Sequence, residues 1–152
     1  MKRKLPVLIL AVIILLQAFS PAVFAVLKNE AESKTASYCS LDLTSEGAGT
    51  VASNLGKSYG KFGTVVENPG VKITGFSGHA VNQAITREVT TNVIQNTVKN
   101  PVAVLSQRGG NSFAYVSNEA VVVVKNTGEI ITSYGKSNFD ATVQQVLKEA
   151  IK

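Results

Sequence analysis

Val121 to Val124 are four consecutive valines inside "AVVVVK". Successive side chains of a strand point to opposite faces of the sheet, so this run has no polar face to turn toward water. It belongs in the middle of a sheet covered on both sides. The flanking sequence supplies the neighbours. "VAVLSQ", "SFAYVS" and "EIITSY" read as further strands, joined by "RGGN", by "NE" and by "NTG". These connections are the short polar or glycine-containing kind that close antiparallel hairpins.

Helical periodicity precedes this meander. Ser77 is a natural N-cap for a helix from about Gly78 to Glu88, and Thr90 or Thr91 caps a second helix carrying Val93, Ile94 and Val98. Asn100-Pro101 ends that helix, because proline cannot continue the hydrogen-bond ladder. Upstream, "TVVENPGVKITGF" has β-branched residues around a Pro69-Gly70 turn and reads as extended. Downstream, Asp140 caps an amphipathic helix with Val143, Val146, Leu147 and Ile151. The predicted class is α+β: N-terminal helices packed on one face of a small antiparallel sheet of about four strands, with a C-terminal helix.

The first 25 residues, "MKRKLPVLILAVIILLQAFSPAVFA", have the three parts of a secretory signal: Lys2, Arg3 and Lys4, an apolar run from Val7 to Leu16, and small residues before a cleavage point after Ala25. The apolar run is shorter than the roughly 20 residues that span a bilayer. The expectation is a signal peptide over 1–25, a secreted or extracytoplasmic product, and no stable membrane insertion after cleavage. Residues 26–63, rich in Ser, Gly, Lys and Glu, read as a flexible leader, and 64–152 as the domain. Without the signal, twelve basic residues face ten acidic ones, so the net charge falls from +5 to +2. That is too small to argue nucleic-acid or membrane binding from bulk charge alone. Cys39 is the single cysteine, so no intrachain disulfide can staple the fold.

Several catalytic signatures are excluded by spacing. Gly56-Lys57-Ser58 lacks the earlier glycine of a phosphate loop, because position 51 is valine. "GFSGH" places His79 where a nucleophile elbow needs glycine. One histidine and one cysteine cannot build a usual zinc cluster, and no metal or other cofactor is expected.

What remains is one helix face. At about 100° per residue, Asn82, Gln83, Thr86 and Arg87 lie on the side of His79, while Val81, Ala84 and Ile85 lie opposite. A face that merely meets water is usually Glu and Lys; this one carries hydrogen-bonding groups that gain more from a specific partner. Thr132 and Tyr134, two apart on "EIITSY", project from one side of their strand. If the helix crosses that side, His79, Arg87, Thr132 and Tyr134 converge.

These residues resemble the small toxin nucleases of the barnase/EndoU/colicin/RelE (BECR) superfamily, found as C-terminal domains of bacterial polymorphic toxins. The resemblance rests on the helix with His79, Asn82, Gln83 and Arg87, the second helix ending in "NP", and the strands closing on "GEIITSY", from about Gly75 to Asn138. It implies metal-independent cleavage of RNA, tRNA among the candidates, by attack of the ribose 2′-OH on the adjacent phosphate. His79 would be the acid or base, Arg87 would hold the phosphate, and Thr132 and Tyr134 would position it, with Tyr134 sharing proton transfer. Asn82, Gln83, Arg108 and Lys125 would contact substrate, with Lys136 adding to the basic patch. A cognate immunity protein is the implied protein partner. The competing expectation is a secreted or envelope-associated, non-catalytic binding module, a degenerate toxin domain that uses Phe113, Tyr115 and Tyr134 for contact.

Overall fold

The computed structural model describes residues 54–150 and the two-residue strand β1 (Leu43–Thr44). The elements that follow are β2 (Thr64–Val66), β3 (Lys72–Ile73), β4 (Gly75–Phe76), α1 (Gly78–Thr86), α2 (Thr91–Lys99), β5 (Ala103–Gln107), β6 (Ser112–Val116), β7 (Ala120–Lys125), β8 (Glu129–Gly135) and α3 (Ala141–Ala150). The expected signal peptide and most of the expected leader lie outside the described residues.

The meander forms as its turns dictate: β5, β6, β7 and β8 pair antiparallel in sequence order. The sheet is nevertheless larger than the expected four strands. Its order is β2-β5-β6-β7-β8-β4, six strands, with β2 antiparallel on one edge and β4 parallel to β8 on the other. The sheet is therefore mixed. Both added strands are two or three residues long, below the length at which alternation can be read from sequence. β1 and β3 form a separate antiparallel pair.

The valine run sits inside the sheet and alternates as required. Val122 and Val124 face a core built with Ala80, Val81 and Ala84 of α1, Ile94 and Val98 of α2, and Val104, Tyr115 and Ile130. Val121 and Val123 face a second core with Val65, Leu105, Ala114 and Val116, closed by Val143 and Val146 of α3. Helices thus cover both faces, with α3 opposite α1 and α2. Burial of one valine contributes roughly 1.5–3 kcal/mol, so the four together rival the roughly 5–15 kcal/mol net stability of a domain. Phe113 and Tyr115, expected as contact residues of a binding module, belong to the first core instead, with Tyr115 fully buried.

Caps set the helix ends. Ser77 Oγ accepts from the Ala80 amide at 3.1 Å, Thr90 Oγ1 from Val93 at 3.4 Å, and Asp140 Oδ1 from Val143 at 2.8 Å. α1 stops at Thr86, short of the expected Glu88, because Glu88 turns left-handed at φ 53°. The Val89 amide then bonds the Ala84 carbonyl at 2.9 Å and the Glu88 amide bonds that of Ile85 at 3.2 Å. This is a Schellman closure, with Glu88 where glycine is favoured and with Val89 packed in the same core as Ala84.

Residues 54–63, placed in the leader by composition, are part of the fold. Ser58 bridges Thr64, a 3-10 turn spans Gly60–Phe62, and Tyr59 and Phe62 pack against the α3-side core. The Glu149 carboxylate accepts from Lys57 at 2.7 Å and from the Tyr59 hydroxyl, while the Glu149 carbonyl accepts from Asn54 at 2.9 Å. Serine, glycine and lysine composition missed this because the segment's order comes from polar contacts about 90 residues away in the chain.

Candidate functional site

The β4–β8 edge builds the site. β4 pairs with β8 only at Glu129 and Ile130. The chain then leaves the sheet: the Ser77 amide donates to the Ile130 carbonyl at 2.9 Å while its hydroxyl caps α1. From Ile131 onward, no described strand pairs with β8 on that side, and α1 runs along the opening. An unpaired edge leaves carbonyls unsatisfied. Arg87 Nη1 donates to one of them, Ser133 O, at 3.2 Å, and the guanidinium lies 5.8 Å from the Tyr134 ring centroid.

A β-bulge in β8 decides which side chains reach this opening. Val124 pairs with Ile130 but Val123 pairs with Thr132, so Ile131 is the extra residue. Past the bulge, Thr132 and Tyr134 lie with Val123 and Val121 on the α3 side, whereas α1 packs on the other side. Helix and hydroxyls therefore meet around the sheet edge, where the sequence had suggested a helix crossing the strand face. Without the bulge Thr132 would share the side of Ile130 and be buried under α1.

At the edge the groups join. Thr132 Oγ1 donates to Gln83 Oε1 at 2.7 Å, and Gln83 Nε2 lies 2.8 Å from His79 Nε2. His79 and Gln83 are one helical turn apart, which stacks them on one face of α1. Tyr134 packs edge-to-face on Phe139 at 6.3 Å. Its hydroxyl is pushed up to about 12, first by burial and then by the charge of Asp140, with Arg87 pulling the other way. A phenol so raised stays protonated across the physiological range.

These residues line a cleft of about 970 Å³. Its wall includes His79, Gln83, Arg87, Thr132 and Tyr134, with Arg108 and Lys125 farther along. Lys125 is ion-paired with Glu129. Asn82 is exposed and stands outside the cleft, its carbonyl taken by Thr86 Oγ1 at 2.8 Å. Lys136 also stands outside, beside Glu88 and Glu119 in a neighbouring hollow. Asp140 and Asn138 line the cleft without having been foreseen. Asp140 was legible only as a helix cap; its place beside Tyr134 depends on how the chain turns between β8 and α3. Among the described residues, no group of three or more His, Cys, Asp or Glu side chains is placed to hold a metal ion, and no helix is long and apolar enough to cross a membrane.

The fold and site define an α+β domain with an open, cation-lined cleft that holds an imidazole, a protonated phenol and an anchored guanidinium. Over 71 residues the chain is 39% identical to the tRNA nuclease WapA of Bacillus subtilis strain 168. The match covers 44% of this chain and 3% of that protein, so the chain spans a small part of its relative's length. No family model matches the chain, and no solved structure matches it.

Proposed function

We propose that this chain is a toxin-like ribonuclease that cleaves RNA, with tRNA as the favoured substrate, by attack of a ribose 2′-OH on the adjacent phosphate. The observation that carries the reading is the convergence of His79, Arg87, Thr132 and Tyr134 around one sheet edge in a cation-lined cleft. The similarity to a protein named as a tRNA nuclease supports the choice of substrate.

In this reading His79 takes the 2′-OH proton as the 2′-oxygen bonds to phosphorus. The bond from phosphorus to the 5′-oxygen breaks, and Tyr134 gives that oxygen its proton, which a high phenol pKa permits because the departing alkoxide is the stronger base. The products are a 2′,3′-cyclic phosphate and a 5′-hydroxyl, and water returns the proton from His79 to Tyr134. Arg87, already held by the Ser133 carbonyl and stacked near Tyr134, keeps donors for the phosphate oxygens and loses little freedom on binding. Arg108 and Lys125 would hold flanking phosphates. The chemistry draws every group from the chain and needs no metal.

Residues 1–25 would direct export, and a neutralising partner protein would protect the producing cell. The test incubates the purified protein with total RNA and with tRNA in excess EDTA, beside His79→Ala. The expected outcome is cleavage ending in cyclic phosphates, falling by about 10²–10⁴-fold in the variant. Folded wild-type protein that leaves both substrates intact removes the reading.

A further inference from the structure

The cleft contains a hydrogen-bond chain whose direction follows from the placement of the Gln83 amide. Thr132 donates to Gln83 Oε1, so the amide nitrogen is the group facing His79 Nε2. An amide nitrogen only donates, and His79 Nε2 must therefore accept. In a neutral imidazole, acceptance at one nitrogen puts the proton on the other. With the amide placed so, a neutral ring at His79 is the Nδ1–H tautomer, with the Nε2 lone pair engaged by Gln83 and the other nitrogen protonated. Neither nitrogen is then free to act as a base.

The same three residues have a second arrangement. If Thr132 turns its hydroxyl proton elsewhere, its oxygen becomes an acceptor. The Gln83 amide then rotates, Nε2 donating to Thr132 and Oε1 accepting from His79 Nε2–H. The ring is the Nε2–H tautomer and Nδ1 carries a bare lone pair. No proton is gained or lost overall, because His79 stays neutral and Thr132 keeps its hydrogen. Exchange through solvent is open to His79, which is exposed at the start of α1.

A phosphate oxygen is the acceptor that would draw the Thr132 proton away. An O–H bond to an ionised oxygen is roughly twice as strong as one to a neutral amide oxygen, and Arg87 would bring that charge to the Thr132 end of the cleft. The other charged or titratable groups around the cleft are Tyr134, Asp140, Arg108 and Lys125. None of them hydrogen-bonds to either His79 nitrogen.

We propose that Thr132, Gln83 and His79 form a substrate-operated tautomer switch, in which a phosphate oxyanion accepting from Thr132 turns the Gln83 amide over and frees His79 Nδ1 as the base. Gln83 is a positioning residue in this scheme. The catalytic consequence rests on the ribonuclease reading, but the switch itself is a property of the free protein and of its phosphate complex. It would keep the imidazole idle until a phosphate is seated.

His79 is the single histidine, so long-range ¹H–¹⁵N spectra of the full chain at mildly alkaline pH report its tautomer without assignment ambiguity. Wild type is expected to show the Nδ1–H pattern and to convert to Nε2–H with saturating inorganic phosphate. Thr132→Val should make the tautomer insensitive to phosphate. Gln83→Glu should show Nε2–H throughout, because a carboxylate can only accept. An Nε2–H pattern in the free wild type overturns the switch. So does an Nδ1–H pattern that persists in phosphate, whether or not the Arg87 guanidinium resonances report binding. RNA cleavage assayed in parallel separates the two ideas: conversion without cleavage leaves the switch and removes the ribonuclease, whereas cleavage without conversion does the reverse.

Discussion

Tyr134 and Arg87 bear two different loads at the same edge, and single substitutions separate them. Tyr134→Phe keeps the contact with Phe139 and the ring beneath Arg87 but removes the phenolic proton. Under the proposed ribonuclease reading, cleavage should fall by about 10²–10⁴-fold while thermal stability changes little, measured as kcat on tRNA and as a melting curve. The pH dependence has a definite sign. The folded-state pKa, about 12, is raised above the ordinary value of 10.0. The protonated folded state is therefore favoured below pH 10, and that contribution is lost as pH rises through about 12. Wild type should lose stability over this interval more steeply than Tyr134→Phe in alkaline denaturation. For Arg87→Lys, the point charge remains but the planar fork and its stacking do not. Activity should drop by about 10²–10³-fold, the scale of losing one transition-state donor. If a lysine there sustains full cleavage, Arg87 acts only as a charge.

At the scale of elements, the turn before β8 determines where the edge lies. Gly128 adopts φ 94°, and a Cβ added there would come within 2.1 Å of the Lys72 carbonyl oxygen. That close approach accompanies the bond from the Thr74 amide to the Gly128 carbonyl, 2.9 Å, which ties β3 and β4 to β8. Gly128→Ala should destabilise the fold by about 2–4 kcal/mol and reduce cleavage with it, read by urea unfolding and activity together. Glu88 is the opposite case, a side chain held at φ 53° where glycine is at ease. Glu88→Gly should stabilise by up to about 1 kcal/mol without moving Arg87. Elements governed by nearby sequence were legible: Ser77, Thr90 and Asp140 announced their helices, and the valine run announced an interior strand. The bulge at Ile131 and the parallel pairing of Gly75–Phe76 were not, since each depends on a partner strand rather than on its own residues. The candidate site was legible for a related reason. His79, Gln83 and Arg87 share a helix face by spacing alone, whereas Asn82, on the same arc, fell outside the cleft because the helix meets a sheet edge rather than a broad surface.

Across the whole molecule, residues 54–59 and the end of α3 are joined at Glu149. Its carboxylate takes Lys57, Tyr59 and Gln145 as donors, and these hold it down to about 2 from an ordinary value of 4.5. Tyr59 moves the other way, pushed up to about 12 first by burial and then by its bond to that carboxylate. A depressed carboxylate contributes stability that is present above its unfolded value and is lost as pH falls through its folded value. The relevant window is thus from about 4.5 down to about 2, below the range in which a tRNA-cleaving activity would be assayed. The contact is at the surface, so salt should weaken it and its magnitude should be modest. Glu149→Gln removes the charge but keeps the shape and an acceptor. Urea midpoints at pH 6 and pH 3 should differ more for wild type than for the variant, and high salt should narrow that gap. Equal acid sensitivity of the two proteins would mean that residues 54–63 are held by the packing of Tyr59 and Phe62 on the α3-side core rather than by charge. The cleft lies along β8 and α1, away from this latch, so RNA cleavage at neutral pH should be the same in both proteins.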